Sequence, residues 1–286
     1  MRMWTIWLLV FVLVGPVFGS PTVGSSEVQF VVVQKWLIDD GFDSKWIQSL
    51  YTRPNVKFDT ASARSYFRHR EATLDYDQFT SDRSIEAARR YMDTHTQALH
   101  YTESVYGVDR EIITAILLVE TRLGTYTGKR SIFNTLSTLS ALRDPSTRDA
   151  FWEEMPKTPR LNRDKYRKWA AGKSSWAYRE LKAFLKYASK QGMDPTEIYG
   201  SYAGALGIAQ FIPSSIVVYA RDGNEDGKVN LFHHEDAIAS VGSYLKRNGW
   251  RPGIDRKKAS KVIYRYNHSE YYVNTILKIS DILTQM

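Results

Sequence analysis

Along most of the chain apolar side chains return every three or four positions, the spacing of one helical face, while alternation of apolar and polar residues is scarce. The pattern predicts helices over 28–39, 44–51, 82–106, 110–122, 175–191, 236–248 and about 269–284. In the first of these, Phe30 to Val33 would suit a strand or a helix, and Trp36 and Leu37 complete one broad helical face. Asp82 or Ser84 can cap the third, Gly107 stops it, and Asp109 caps the fourth. Gly192 and Gly249 end two later ones. The middle of 110–122, with Ile112, Ile113 and Ala115 to Val119, is apolar nearly all round, as in a helix buried on most sides. Between 143 and 173, Pro145, Pro156, Pro159 and many basic residues predict a surface excursion. The expected fold class is mainly α, with little β structure.

The start of the chain has a different character. Arg2 precedes an apolar run from Trp4 to Val14, broken only by Thr5, and Gly15-Pro16 ends the run. Val17 and Gly19 then stand at −3 and −1 of a cut before Ser20, the layout of a secretory signal over 1–19. The alternative is an uncleaved anchor, but the run is short of the roughly 20 residues a bilayer span needs. No Cys follows it, so a lipid anchor is not expected, and no later stretch has a spanning length. The expectation is export to a periplasmic compartment as a soluble or peripheral protein. With 286 residues and no Cys, a disulfide scaffold, a thiolate metal site and a cysteine nucleophile are excluded. The net charge of +8 asks for an anionic partner. Export and the lack of a basic recognition helix argue against nucleic acid. No heptad seam suggests assembly, and a monomer is expected.

Four clusters carry candidate chemistry. Glu120 closes the apolar helix, where poor solvation would favour the protonated carboxyl that a general acid needs; a structural Glu paired with Arg122 would look the same. The segment 200–215 holds Gly200, Gly204 and Gly207, which permit close backbone approach. Its Ser201 and Gln210 can hydrogen-bond sugar hydroxyls, though a tightly packed helix start is the plainer reading. Asp222, Asn224 and Asp226 stand at positions 1, 3 and 5 of a loop with Gly227 at position 6, the front half of a calcium loop. Position 12 is His233, a poor ligand for a hard cation, so Glu235 or Asp236 would have to close the site unless this is merely an acidic turn. Finally, Tyr264, Tyr266, Tyr271 and Tyr272 surround Asn267, a set suited to sugar rings or to ordinary helix packing.

These clusters occur in an order that resembles the lytic murein transglycosylases of the B type. The match consists of Val119-Glu120-Thr121-Arg122 with Gly124, Gly128 and Lys129; Leu136-Ser137-Thr138-Leu139-Ser140; the 200–215 segment; the Asp222 loop with Asp236-Ala237-Ile238; Asn248-Gly249-Trp250; and Tyr266-Asn267. It runs from about residue 88 to the C-terminus, with weaker agreement from 28 onward. Leu206 and Ile212 stand where Met is expected, and 155–173 is longer than its counterpart.

The resemblance implies a lysozyme-like catalytic core over 105–286 with a helical region over 20–104 packed on it. It implies that Glu120 is the single acid and base, and that Ser201, Gln210, Tyr266, Asn267 and Tyr272 line the glycan groove. An EF-hand-like loop over 222–236 would hold Ca²⁺ or Na⁺ through Asp222, Asn224, Asp226, the Lys228 carbonyl and Asp236. The implied reaction cuts peptidoglycan between N-acetylmuramic acid and N-acetylglucosamine without water, needs no cofactor for its chemistry, and leaves 1,6-anhydro ends. Partners in the cell-wall machinery are compatible with it. A hydrolytic muramidase would normally want a second carboxylate, which the groove motifs do not offer; a non-catalytic peptidoglycan-binding protein would keep the groove without a desolvated Glu.

Overall fold

A computed structural model describes residues 26–68, 75–155 and 162–285; the signal segment expected at 1–19 lies outside them. Thirteen α-helices and one two-stranded ribbon are present among the described residues. In chain order the helices are α1 (Ser26–Asp39), α2 (Ser44–Tyr51), α3 (Thr60–Arg68), α4 (Asp82–Thr94), α5 (Thr96–Tyr106), α6 (Arg110–Thr121), α7 (Ile132–Ala141), α8 (Pro145–Glu153), α9 (Arg163–Gln191), α10 (Pro213–Tyr219), α11 (His234–Arg247), α12 (Arg256–Tyr266) and α13 (Glu270–Thr284). Strands β1 (Arg130–Ser131) and β2 (Tyr199–Gly200) pair antiparallel, Arg130 opposite Gly200.

The apolar helix predicted before Glu120 is α6, and its residues Ile112 to Leu118 are all buried. Helices α4, α5, α11 and α13 close around it. One hydrophobic core runs from Phe30 in α1 to Leu283 in α13. The run Phe30 to Val33 is helical. Its buried members Phe30, Val33 and Leu37 follow a helical spacing, and α1 packs on α2 and α7.

Three expectations need correction. The helix expected over 82–106 is broken at His95 (φ −108°, ψ 25°), which separates α4 from α5. At the break the His95 ring packs on Tyr91 (4.4 Å) and on His234 at the start of α11 (4.5 Å). The cap lies at Ser81, not at Asp82 or Ser84. The basic excursion over 143–173 is, in its described residues, largely helix and partly core. Pro145 opens α8, whose Phe151 and Trp152 are buried. Asn162 caps α9 through Lys165 N–H (2.9 Å), so that helix begins twelve residues before the predicted 175–191 and buries Tyr166 and Ala170. Arg163, Lys165, Arg167 and Lys168 are exposed on the outward face of α9, whereas the Lys173 ammonium lies over the Tyr66 and Trp176 rings (4.2 Å to each). Proline at a first helical turn costs no hydrogen bond, which is why Pro145 does not signal a loop.

Helix α7 was not predicted, because Ser137, Thr138 and Ser140 interrupt its apolar pattern. All ten of its residues are buried. Their polar groups are met by the N-terminal segments: Tyr51 and Ser137 share a hydrogen bond of 2.8 Å. Asp59 N–H donates to Thr138 Oγ1 (2.8 Å), and Asn134 Nδ2 donates to the Asn55 carbonyl (2.8 Å).

Since α6 is enclosed on several sides, a hole in it cannot be filled by one neighbour moving inward. Leu117, fully buried, should therefore cost about 2–5 kcal/mol when replaced by Ala. Urea unfolding followed by circular dichroism measures this, and a loss under 1 kcal/mol would contradict the packing described.

Candidate active site

Helix α6 delivers Glu120 to its last turn, where the apolar surround opens and the side chain is half-buried. The backbone then turns abruptly: Arg122 (φ 50°) and Leu123 (φ 60°) both adopt left-handed conformations. Such residues cost of order 1–3 kcal/mol each and persist where their surroundings hold them. Here Thr121 Oγ1 donates to the Ile208 carbonyl (2.9 Å) and accepts from Gly124 N–H (3.0 Å), and Arg122 donates to Gln78 Oε1 (2.6 Å). The carboxyl is thus tied at its root both to the segment 200–213 and to the 3-10 turn Asp77–Thr80.

Helix α13 packs along α6 and brings Tyr272 across. Ser269 caps α13 by accepting from Tyr272 N–H (3.2 Å), and the Tyr272 hydroxyl donates to Glu120 Oε1 at 2.7 Å. Tyr266, at the end of α12, lies parallel to Tyr272 (6.3 Å between centroids, 10°) and donates to the Ala209 carbonyl at 2.6 Å. Both phenols titrate well above their ordinary range; burial is the larger cause and the neighbouring Glu120 charge the next. Both are O–H donors at neutral pH.

The segment 199–213 forms a wall beside these groups, reached from Thr121 at Ile208 and from Tyr266 at Ala209. Gly128 (φ 102°) lies so close to it that a Cβ would fall 2.1 Å from the Gly200 carbonyl oxygen, so only glycine allows β1 and β2 to meet there. Ser201 Oγ accepts from Ala203 N–H (3.3 Å) and Ala205 N–H (3.1 Å), which folds the turn beneath it. Gln210 is itself left-handed (φ 49°), and its Nε2 donates to the Thr127 (3.1 Å) and Gly207 (2.9 Å) carbonyls. Its Oε1 keeps acceptor capacity. Asn267 caps the end of α12 between Tyr266 and Ser269. The structure joins Tyr272 directly to Glu120, joins Tyr266 to the residue before Gln210, and places Ser201 farther along the same wall.

The sequence reading missed Tyr76. Its ring stacks on the exposed Tyr271 (6.5 Å, 11°), and its phenol adds to the upward push on Tyr272. Tyr76 stands in a stretch without helical periodicity, far along the chain from Glu120, and no local pattern marks it.

The loop at 222–236 draws its oxygens inward onto its own amides. Asp222 accepts from Asp226 N–H (3.2 Å) and Gly227 N–H (2.8 Å); Asn224 Oδ1 also accepts from Asp226 N–H (3.2 Å), and Asp226 from Lys228 N–H (2.8 Å). Asp236, fully buried, accepts from Gly223 N–H (2.8 Å) and Asn230 N–H (2.6 Å). Burial holds its carboxyl above the usual range against the pull of those amides, and the Asp222 charge adds to the rise. Among the described residues no three acidic or histidine side chains converge as a ready metal cluster. The donor set, oxygen throughout with a buried carboxylate beside a second acid, nevertheless fits a hard cation in its chemistry.

The family model described as "Transglycosylase SLT domain" matches residues 26–259. The chain belongs to the transglycosylase SLT domain family. This SLT-domain chain is 34% identical over 176 residues, 62% of its length, to the membrane-bound lytic murein transglycosylase B of Escherichia coli strain K12, and the matched stretch spans 41% of that relative. Its fold matches the soluble lytic transglycosylase SltB1 of Pseudomonas aeruginosa (TM-score 0.72, 24% identity, 90% of this chain and 98% of that one). It also matches the Escherichia coli lytic transglycosylase Slt35 solved with calcium (TM-score 0.70, 25% identity, 91% and 93%). The SLT-domain chain thus has the mainly α, lysozyme-like fold that its sequence led one to expect. No helix among the described residues is long and apolar enough to cross a membrane.

Buried phenols give the SLT-domain chain an alkaline limit. Tyr187 and Tyr244 are pushed up to about 12, and Tyr51 and Tyr272 are raised as well, whereas unfolded tyrosines ionise near 10. The folded state holds these protons longer, so stability is complete below pH 10 and falls as pH rises toward the folded values. Each fully buried phenol should contribute a slope of about 1.4 kcal/mol per pH unit over that window. Urea midpoints at pH 8 and pH 11 test this, with a clear drop expected at the higher pH.

Proposed function

We propose that the protein cuts the glycan strands of peptidoglycan between N-acetylmuramic acid and N-acetylglucosamine, with Glu120 acting first as acid and then as base. The observation that carries this reading is the 2.7 Å hydrogen bond from the buried Tyr272 hydroxyl to Glu120 at the end of the buried helix α6. In the proposed mechanism the nucleophile belongs to the substrate, so Glu120 needs no second carboxylate. Glu120 delivers its proton to the bridging oxygen, and the carbon–oxygen bond to the departing sugar breaks. The substrate's acetamido oxygen meets the positive charge at the anomeric carbon. Ionised Glu120 then takes the proton of the muramyl C6 hydroxyl, whose oxygen closes the 1,6-anhydro ring and regenerates the acid. A nucleophile already tethered to the reacting sugar has a high effective concentration, so water is not needed. Tyr272 holds Oε1 of the carboxylate and so orients the carboxyl.

Ser201, Gln210, Tyr266 and Asn267 are the proposed groove contacts. Tyrosine faces suit the C–H face of a sugar ring, and the Gln210 Oε1 suits its hydroxyls. The +8 charge suits the carboxylates of the peptide stems. The apolar start over 1–19 supports export to the periplasm, where this substrate lies. Ca²⁺ is the proposed occupant of the 222–236 loop, held by Asp222, Asn224, Asp226, the Lys228 carbonyl and Asp236. A bound cation there brings neutralising charge to the loop and takes no part in bond cleavage.

Mass spectrometry of soluble products from purified sacculi tests the reaction. Fragments lighter by one water than hydrolytic products are expected from the wild type, and Glu120→Gln should lower their yield by about 10³-fold. Hydrated products would make the protein a muramidase, and binding to sacculi without product would remove the enzyme reading. Tyr272→Phe should retain the fold and lose about tenfold in rate, as expected for a hydrogen bond to a charged group. For the loop, Ca²⁺ at a hundredfold excess over Kd should add about 2.7 kcal/mol of stability, seen as a rise in Tm that Asp226→Ala abolishes. An unchanged Tm would exclude the cation.

A further inference from the structure

Helix α9 carries a polar stripe at helical spacing, formed by Trp176, Glu180, Tyr187 and Gln191, and each member meets the segment that runs from the groove wall to the 222–236 loop. A Cβ at Gly204 would stand 4.0 Å from Trp176 Cη2. Glu180 Oε2 accepts from Ser214 N–H at 2.8 Å. Farther along, the Tyr187 hydroxyl donates to the Val229 carbonyl (3.0 Å), and Gln191 Oε1 accepts from Val229 N–H (2.9 Å). Glu180 is the one acid in the stripe, and it is 4% exposed.

A carboxylate in that position is expensive. Burying it without a cation costs free energy that an aliphatic side chain of the same size would not. What it does that an aliphatic residue cannot is accept a directional, charge-assisted bond. Its donor is the first amide hydrogen of α10, because Pro213 has none. Four residues before that donor stands Gln210, in a left-handed conformation unfavourable for a side chain other than glycine or asparagine. The strained stretch needs anchors on both sides. Gln210 Nε2 and the Leu206–Phe211 bridge supply one side; the Glu180–Ser214 bond supplies the other.

We propose that Glu180 is a positioning residue: from behind the groove wall it fixes Ser214, and thereby holds Gln210 in the conformation that faces the glycan. This rests on the glycan-cleaving reading of the site. Glu180 has no part in the proton transfers, since its bonding partner is the wall and not Glu120 or Tyr272.

Three variants of the full chain test it, read by backbone hydrogen exchange and by steady-state kinetics on soluble glycan strands. Glu180→Met keeps the volume and loses the acceptor; Glu180→Gln keeps an acceptor oxygen without the charge. With Met, exchange across 205–216 should accelerate about tenfold, as for loss of a charge-assisted bond. KM should rise severalfold while kcat stays within about twofold, because uniform glycan binding is lost and the chemistry is not. Gln should restore both. Should the Met variant fail to fold, Glu180→Asp takes its place, with its carboxylate one methylene short of Ser214. Unchanged exchange across 205–216, or a loss confined to kcat, would overturn the proposal. A wild type that yields no product would fell the glycan-cleaving reading, and the exchange data would still judge the Glu180 bond.

Discussion

The near-complete burial of α6 is the constraint on which the rest of this molecule depends. A helix apolar from Ile112 to Leu118 except for Thr114, whose hydroxyl bonds back to the Arg110 carbonyl, cannot meet water on any side, so α4, α5, α11 and α13 must close around it. Its last turn is where the enclosure ends, and a carboxyl placed there has protein on one side and an opening on the other. The same packing brings α13 alongside α6 and so sets the Tyr272 hydroxyl 2.7 Å from Glu120. The position of the acid is a consequence of how the core is assembled.

The wall over 199–213 is built by another principle. It has little regular structure of its own, and its shape comes from backbone approaches that only glycine permits, as at Gly128 against Gly200, together with side chains that bond to backbone. Ser201, Gln210 and Thr121 all spend hydrogen-bonding capacity on this scaffold. Residues that the sequence marks as ligands of sugar are therefore also the residues that shape the wall. Strain collects at Arg122 and Leu123 after Glu120 and at Gln210 in the 199–213 segment. Strained backbone of this kind is retained where neighbouring elements fix it, and α9 lies behind the wall along much of its length.

Much of this was legible in the order of residues. The all-round apolar run before Glu120 announces a buried helix ending in a carboxyl, and the Gly107 and Gly192 stops fall where the helices end with left-handed glycines. The family resemblance implies a groove shared by Glu120, Ser201, Gln210, Tyr266, Asn267 and Tyr272, and of these the structure joins Tyr272 directly to Glu120. What escaped were features whose local pattern misleads. Helix α7 is fully buried yet rich in Ser and Thr, because its hydroxyls and amide find partners in segments distant along the chain. The basic stretch before residue 173 reads as a loop because of its prolines, although Pro145 opens a helix and Tyr166 anchors the next in the core.

By itself, then, the sequence determined the helical class, the buried helix with its terminal acid, and the residue types available to the groove and the loop. These follow from periodicity and side-chain chemistry, which are local properties. Tertiary structure alone decided that Tyr272 reaches Glu120, that the uncharted Tyr76 stacks on Tyr271 at the site's edge, and that Glu180 bonds to the back of the wall. It also decided that the helix expected over 82–106 breaks at His95, where stacking on His234 outweighs the local preference for a continuous helix. Each of these contacts joins residues far apart along the chain, and their pairing is set by how the helices close around α6.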